Sequence, residues 1–467
     1  MLATQGATLN QPLRLSFGIR LGQFASPLYK CGDEMRVSLD RRRPTAADEP
    51  GYPVVTWVGL AGIFSPPILI DLGLLWTPSR AVVIFLLGPA LSIVIRRQLS
   101  LCDFLALATA VWCVGAIMLN DGFRPYALVE ILEFLGGYMF GRAFFFGPRS
   151  LQVFVRVFKV VVSSVIFLAV LDLLSGRRFT AEMFSTIFPM NVDLTEVQFR
   201  YNLVRATSTF PTAELYGTFC AVAAGIFLFS ERTTVRKIIF SGIAVFGCVL
   251  SISSGPVLAL AIVLAAFGYD RLLKQYPGRW RSFIKLVLAF VILFFVADVV
   301  FRGNELMHPL LILVRNLTFD PQTGYYRVDQ WEHAMPIIMA SPWVGNGFNF
   351  SVVAGDNMLL SVDNFFLVMA WRFGFPAVIL FVLTMASASQ SGRGPGAWGA
   401  NSYMHDMRVG FSLAVWTFAM VGITVHLWDA TWIFWSLCIG VRASLKQYFS
   451  EMKVHALNRS RLARLPS

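Results

Sequence analysis

The sequence predicts an all-α integral membrane protein with about 12 transmembrane helices, and three observations carry that prediction. The 467 residues are 56% apolar and only 14% charged, with a mean hydropathy of +0.64, a composition that a water-soluble globule of this size rarely shows. The apolar residues gather into runs close to the ~20 residues a helix needs to cross the hydrocarbon core of a bilayer. The formal net charge of +12 falls in blocks between those runs.

Twelve runs meet the length requirement, roughly at 55–75, 79–96, 101–119, 125–146, 151–174, 212–230, 236–252, 254–270, 283–301, 364–386, 408–425 and 429–444. The first is interrupted by Pro66-Pro67, and the seventh and eighth are joined only by the turn Ser253-Ser254-Gly255-Pro256. Residues 1–53 are polar, carry Arg41-Arg42-Arg43 and lack the apolar core and cleavage site of a secretory signal, so they read as a cytosolic tail. The membrane domain then spans 54–444 and a basic cytosolic tail spans 445–467.

With both termini inside, alternate connections must be cytosolic, and the positive-inside rule tests that independently. Those connections hold Arg96-Arg97, then Arg149 and Arg156, then Arg232, Arg236 and Lys237, then the cluster from Arg271 to Lys285. Arg393, Arg408 and the tail from Arg442 to Arg464 follow. A miscounted helix would place every later basic block outside.

Two outward connections, about 175–211 and 302–363, are far longer than a turn requires, and loops of that length usually carry function. No fixed-period repeat and no paired broken helices of the inverted-repeat transporter kind are visible. Ser387 to Ala400 is a Gly/Ser-rich cytosolic linker. Cys31 lies in the N-terminal tail, and Cys102, Cys113, Cys220, Cys248 and Cys438 lie singly in apolar stretches, so neither a disulfide framework nor a zinc site is implied. Gly137-x-x-x-Gly141 permits close helix packing.

The outward loops and adjoining helix ends hold Arg124, Glu130, Glu133, Arg205, Glu214, Arg327, Asp329, Glu332, His333, Asp363 and Arg372. A charge at a helix centre costs about 2.5–3.5 kcal/mol even on lenient scales, so Glu133 and Arg372 need partners, and mutual ion pairing is the plain structural expectation. Arg205 precedes the sixth helix, with Phe210 and Pro211 expected to dock at the membrane interface. Arg327 lies in Tyr325-Tyr326-Arg327-Val-Asp-Gln-Trp331-Glu-His-Ala, which reads as an amphipathic helix ending at Pro342. An interfacial arginine taken alone is more often a headgroup anchor than a catalyst. His308 and His426 fall on the outer face, whereas His405 and His455 fall on the cytosolic side.

Order and topology together give these pieces more meaning. Arg205 with Phe210, the turn Ser253-Ser254-Gly255, Arg327 with Trp331, Pro342-Trp-Val-Gly345-Asn-Gly347 and Asp363-Asn364 follow one another between residues 200 and 385. In this the chain resembles the O-antigen ligase and polysaccharide polymerase (Wzy-like) superfamily of bacterial membrane glycosyltransferases. Ligases of the superfamily commonly have His where Asp363 stands, and their Ser/Gly turn often includes an Arg where Ser254 stands. The resemblance is therefore closer to exopolysaccharide polymerases.

The resemblance implies a GT-C-like membrane architecture in the bacterial cytoplasmic (inner) membrane. It also implies a substrate glycan joined through pyrophosphate to a polyprenyl lipid, transferred to a sugar hydroxyl at the outer face. The site must then supply positive charge for the departing pyrophosphate and a base for the hydroxyl. Arg205 and Arg327 suit the first role because the guanidinium fork donates paired hydrogen bonds to phosphate oxygens. Asp363 is the candidate base, with Glu332 and His333 in reserve, and Glu214, Asn364 and Arg372 in support. No cofactor or metal is expected, since no clustered ligand motif is visible. The expected partners are the lipid-linked oligosaccharide, membrane lipids and other polysaccharide export and chain-length proteins, with no nucleic acid. A ligase acting on lipid A core, and a transporter or flippase for the same glycans, are the rival readings.

Overall fold

Most helices begin where the sequence offers a start signal. Pro occupies the first turn of α1 (Pro53–Ile63), α2 (Pro78–Ile95), α4 (Pro125–Phe144) and α5 (Pro148–Ser175), where its missing N–H would have had no helical partner. Thr77 caps α2 by accepting from the Arg80 amide at 3.4 Å. Ser100 and Asp103 form a capping box at the start of α3 (Leu101–Asn120). A short α6 (Phe179–Ser185) follows α5, and Thr212 caps α7 (Ala213–Ser230). Next come α8 (Thr234–Leu250), α9 (Ser254–Leu272) and α10 (Arg279–Phe301). Asp320 caps α11 (Pro321–Ala340) and Asn364 caps α12 (Phe365–Ser389), before α13 (Ser402–Gly422) and α14 (Ala430–Leu462). Two antiparallel hairpins complete the elements, β1 (Ile70–Asp71) with β2 (Leu75–Trp76) and β3 (Phe199–Arg200) with β4 (Leu203–Val204).

The computed structural model describes residues 51–71, 75–190, 197–276, 278–301, 312, 315–316, 319–348, 362–390 and 402–462. The N-terminal tail up to residue 50, most of the 302–363 connection on either side of α11, His308, the linker with Arg393 and the last five residues lie outside the described residues, as does the His455 side chain.

Among the described residues, seven helices are long and apolar enough to cross a membrane: α2, α3, α5, α7, α9, α10 and α12. The protein is an all-α, multi-pass membrane protein. Each apolar run of the sequence falls on a helix, but the first run does not fill its span. α1 stops at Ile63 because Pro66-Pro67 cannot continue it, and the chain turns into the β1–β2 hairpin. At the other end, α14 runs on past residue 444 to Leu462, with the Gln447 side-chain amide donating to Glu451 at 2.6 Å across one turn.

Packing grades from fully enclosed to fully open. α7 is the buried axis, with every residue from Leu215 to Ser230 buried. Phe210 leads into it and belongs to this core, against Phe219 at 5.1 Å and Phe64 at 6.1 Å, so it is a core anchor and not an interface residue. α4 and α14 approach at Gly137 and Gly141, where an added Cβ would lie 2.1 Å from the Ser436 hydroxyl and 2.2 Å from the Leu437 carbonyl oxygen respectively. None of the described side chains of α10 is buried, which leaves its apolar surface for lipid.

α12 contains a sharp kink. Pro376 has no N–H, and its ring displaces the carbonyl four residues back, at Arg372, while Gly374 takes φ 80°. The carbonyls so released are bound by the segment after α11. The Asn346 amide donates to Trp371 O at 2.7 Å and the Gly347 amide to Arg372 O at 3.2 Å, while the Phe375 amide donates to Pro342 O at 2.8 Å. Gly374 is required there because a Cβ would sit 2.0 Å from Trp343 O.

Candidate functional site

The cavity at the ends of these helices is assembled from five separate segments. β3 and β4 are joined by Tyr201 and Asn202, both at positive φ, the two-residue turn that matches strand twist. This short hairpin holds Arg200, and the chain leaving it carries Arg205. The tip of the hairpin meets the approach to α11, with the Tyr201 and Phe319 rings 6.5 Å apart. The parts of the two long connections that are described thus converge.

A cavity of about 350 Å³ lies where they meet. Gln198, Arg200 and Arg205 line it from the hairpin, and Thr212 and Glu214 from the start of α7. Ser253 and Ser254 line it from the α8–α9 turn, and Asp320, Thr323, Gly324 and Arg327 from α11. Asp363, just before α12, and Thr424, Val425, His426 and Trp428, from the α13–α14 connection, close it. Arg205, Arg327, Glu214 and Asp363, singled out in the sequence, therefore share one cavity.

The guanidinium of Arg205 is held by protein groups on every side. It donates to Gln198 Oε1 at 2.6 Å and to Ser251 O at 3.4 Å, and it forms an ion pair with Glu214. The loop that follows Arg205 is shaped from below by Asp172 of α5, whose carboxylate accepts from the Ser208 amide and the Thr180 amide, each at 2.8 Å. Arg327 is different. Its Nε is buried and has no hydrogen-bond partner among the described residues.

Asp363 and Asn364 are fixed by their neighbours. The Asp363 amide donates to Gln330 Oε1 at 3.1 Å, and Gln330 lies one turn beyond Arg327 on α11. Asn364 caps α12 by accepting from the Leu367 amide at 2.9 Å and donates its side-chain amide to Ile423 O, which ties the start of α12 to the α13–α14 connection. Its role here is to anchor the loop that carries His426.

Glu332 and His333 do not line the cavity. At about 100° of rotation per residue, five and six steps from Arg327 carry them to the far side of α11, and both are exposed. His333 pairs with Asp329 at 3.2 Å, and the Asp329 main-chain carbonyl and carboxylate raise its pKa. Arg372 and Glu133 do not pair with one another. Arg372 reaches both carboxylate oxygens of Glu130 at 2.8 Å and lies 4.4 Å from the Phe348 ring centroid, whereas Glu133 takes Arg80 at 2.6 Å. Both belong to the helix packing beside the cavity.

Asp320, Arg200 and Gln198 line the cavity without having been singled out in the sequence, which placed His426 only on the outer face. Asp320 could have been found as the N-cap before Pro321. Its pKa is lowered first by the Thr323 hydroxyl and then by the Gln322 amide and Arg200. His426 is kept neutral, its pKa pushed down to about 3 by burial and by the charge of Arg372. Arg200 and Gln198 carry no local signal beyond their place in a long connection. Among the described residues no group of three or more His, Cys, Asp or Glu side chains could hold a metal ion.

The fold and this cavity define a multi-pass membrane protein with an arginine-bearing pocket at its helix ends. Residues 239–382 match the family model described as O-Antigen ligase. That stretch runs from within α8 to within α12, contributes Ser253, Ser254, Asp320, Arg327 and Asp363 to the cavity, and supports an O-antigen ligase and Wzy-like family assignment. No curated protein matches the chain. The match supports a membrane glycosyl-transfer function of the ligase or polymerase type on lipid-linked glycans.

Proposed function

We propose that the protein polymerises polyprenyl-pyrophosphate-linked oligosaccharide repeats at the outer face of a bacterial cytoplasmic membrane, without a metal ion. The observation that carries this reading is that Arg205, Arg327 and Asp363, from three separate segments, line one cavity of about 350 Å³. A diphosphate needs guanidinium donors, and a sugar hydroxyl needs a proton acceptor within reach of the same space.

In the reaction the acceptor hydroxyl oxygen attacks the anomeric carbon of the donor and gives its proton to Asp363. The bond from that carbon to the diphosphate oxygen breaks, and the electron pair leaves with the lipid diphosphate. Arg327 meets the charge that develops on the leaving oxygen, and Arg205, set by Glu214 and Gln198, frames the other side. A repeat unit as acceptor makes the protein a polymerase. The matched family, described as O-Antigen ligase, favours a second reading, a ligase, in which lipid A core takes that place.

Reconstitution of the purified protein with a lipid-pyrophosphate oligosaccharide and analysis of the product by gel tests the reading. The expected product is a ladder of lengthened chains. Transfer of a single glycan to a supplied lipid A core, without lengthening, would make it a ligase. Movement of intact lipid-linked glycan across the vesicle without new bonds would make it a carrier.

A further inference from the structure

The charges around the cavity are not equally available. Glu214 already neutralises Arg205, and Asp320 accepts from the Gln322 amide at 3.1 Å and the Thr323 hydroxyl at 2.8 Å as the cap of α11. Among the described residues, the cavity guanidiniums that form no ion pair are Arg327, with its unpartnered Nε, and Arg200. One terminal nitrogen of Arg200 donates to Ile252 O at 3.1 Å, and it forms no ion pair among the described residues. Burial first, and then the charge of Arg205, lower the Arg200 pKa, while Asp320 and Glu214 act in the opposite sense. Two neighbouring cations in a half-enclosed space are relieved by an anion between them.

We propose that Arg200 is a third diphosphate-binding guanidinium of this cavity and that it acts mainly on the leaving lipid diphosphate. This rests on the reading of the cavity as the donor site. The leaving group carries more negative charge than the intact donor, because the bonding electron pair stays on its oxygen. A guanidinium not already matched by a carboxylate favours that state over the ground state, which is the condition for lowering a barrier. The bond from Arg200 to the carbonyl of Ile252 aims it from the side of Ser253 and Ser254, whose small side chains leave space in the cavity wall.

The test uses the full-length protein in nanodiscs with polyprenyl pyrophosphate as probe, and polyprenyl monophosphate and inorganic pyrophosphate as comparison ligands. Arg200→Ala should weaken polyprenyl pyrophosphate binding by about tenfold or more, in proportion to a lost charge-assisted hydrogen bond. Arg200→Lys should recover part of that loss, and Arg177→Ala, an exposed arginine in the same connection outside the cavity, should bind as wild type. The monophosphate should lose much less on Arg200→Ala. Inorganic pyrophosphate should compete if the diphosphate alone is recognised, and fail to compete if the lipid is required; an Arg200→Ala loss of the same size under both conditions supports the proposal. Wild-type binding by Arg200→Ala alongside lost binding by Arg327→Ala would overturn the role of Arg200 and leave the donor site standing. Wild-type binding by Arg200→Ala, Arg205→Ala and Arg327→Ala together would overturn the donor site itself. An unchanged thermal midpoint for Arg200→Ala, with Arg200→Lys intermediate in affinity, separates loss of charge from loss of fold.

Discussion

Arg142 and Arg327 are both arginines on helices of the same membrane protein, and their surroundings could hardly differ more. Arg142, near the end of α4, is wholly buried and is clasped by Asp103 at 2.9 Å, by Gln447 and by the carbonyl of Gln98 at 3.3 Å, with the Tyr138 hydroxyl sharing Asp103 at 2.6 Å. Each keeps one buried nitrogen without a hydrogen-bond partner among the described residues, Nη1 in Arg142 and Nε in Arg327, but Arg327 borders a cavity and forms no ion pair among those residues. The first arrangement fastens α3, α4 and α14 together. The second leaves a cation without a counter-ion among the described residues beside a space that a ligand can enter. In an apolar solvent a charge is expensive wherever it sits, so the informative property is whether a carboxylate of the protein matches it.

Breaking the enclosed set should have the largest effect, and on stability. Arg142→Ala would strand Asp103 without its counter-ion and is expected to cost about 3–5 kcal/mol, read as a lowered thermal midpoint in detergent, with the transfer rate per folded molecule unchanged. A normal midpoint would remove the contrast with Arg327.

Arg327→Ala should do the reverse. Transfer is expected to fall by about 10²–10³-fold, the usual cost of one preorganised charge donor, while the midpoint holds. Arg327→Lys should also be impaired, because a point charge cannot reproduce the planar fork. A matched loss of folding and activity would instead make Arg327 structural.

Gly374→Ala sharpens the comparison by testing main chain and not charge. A side chain at φ 80°, against Trp343 O, should cost about 1–3 kcal/mol in the same unfolding measurement. His333→Ala comes last. Its ring is exposed on the far side of α11, so the transfer rate should change by less than about twofold, and a larger drop would return it to the site.

Much of the framework could be read from residue patterns because lipid imposes a length on every apolar run. The close approach at Gly137 and Gly141 was legible for a local reason, small residues four apart. Arg205, Glu214, Arg327 and Asp363 were legible as candidates because they are ionisable groups at the ends of outward connections, in motifs whose order resembles that of a known family. What was not legible depends on which segments meet. Arg200 reaches the cavity through a hairpin turned by Tyr201-Asn202, and His426 through a connection held by Asn364, and neither proximity is written in spacing along the chain. Glu332 and His333 could have been set aside by helical rotation alone, once Arg327 was taken as facing the cavity. The partners of Arg372 and Glu133 needed the helix packing, since Glu130 and Arg80 compete for the same two charges.

The bend in α12 has a mechanical meaning. Three main-chain bonds that a straight helix would keep to itself run instead between residues 342–347 and 371–375, so straightening the rod would mean unfastening that loop. The upper limb of α12, which begins beside Asp363, is thereby riveted at its lower end as well as at Asn364. The corner is therefore fixed, and any movement that a turnover needs has to come from segments that lack such rivets.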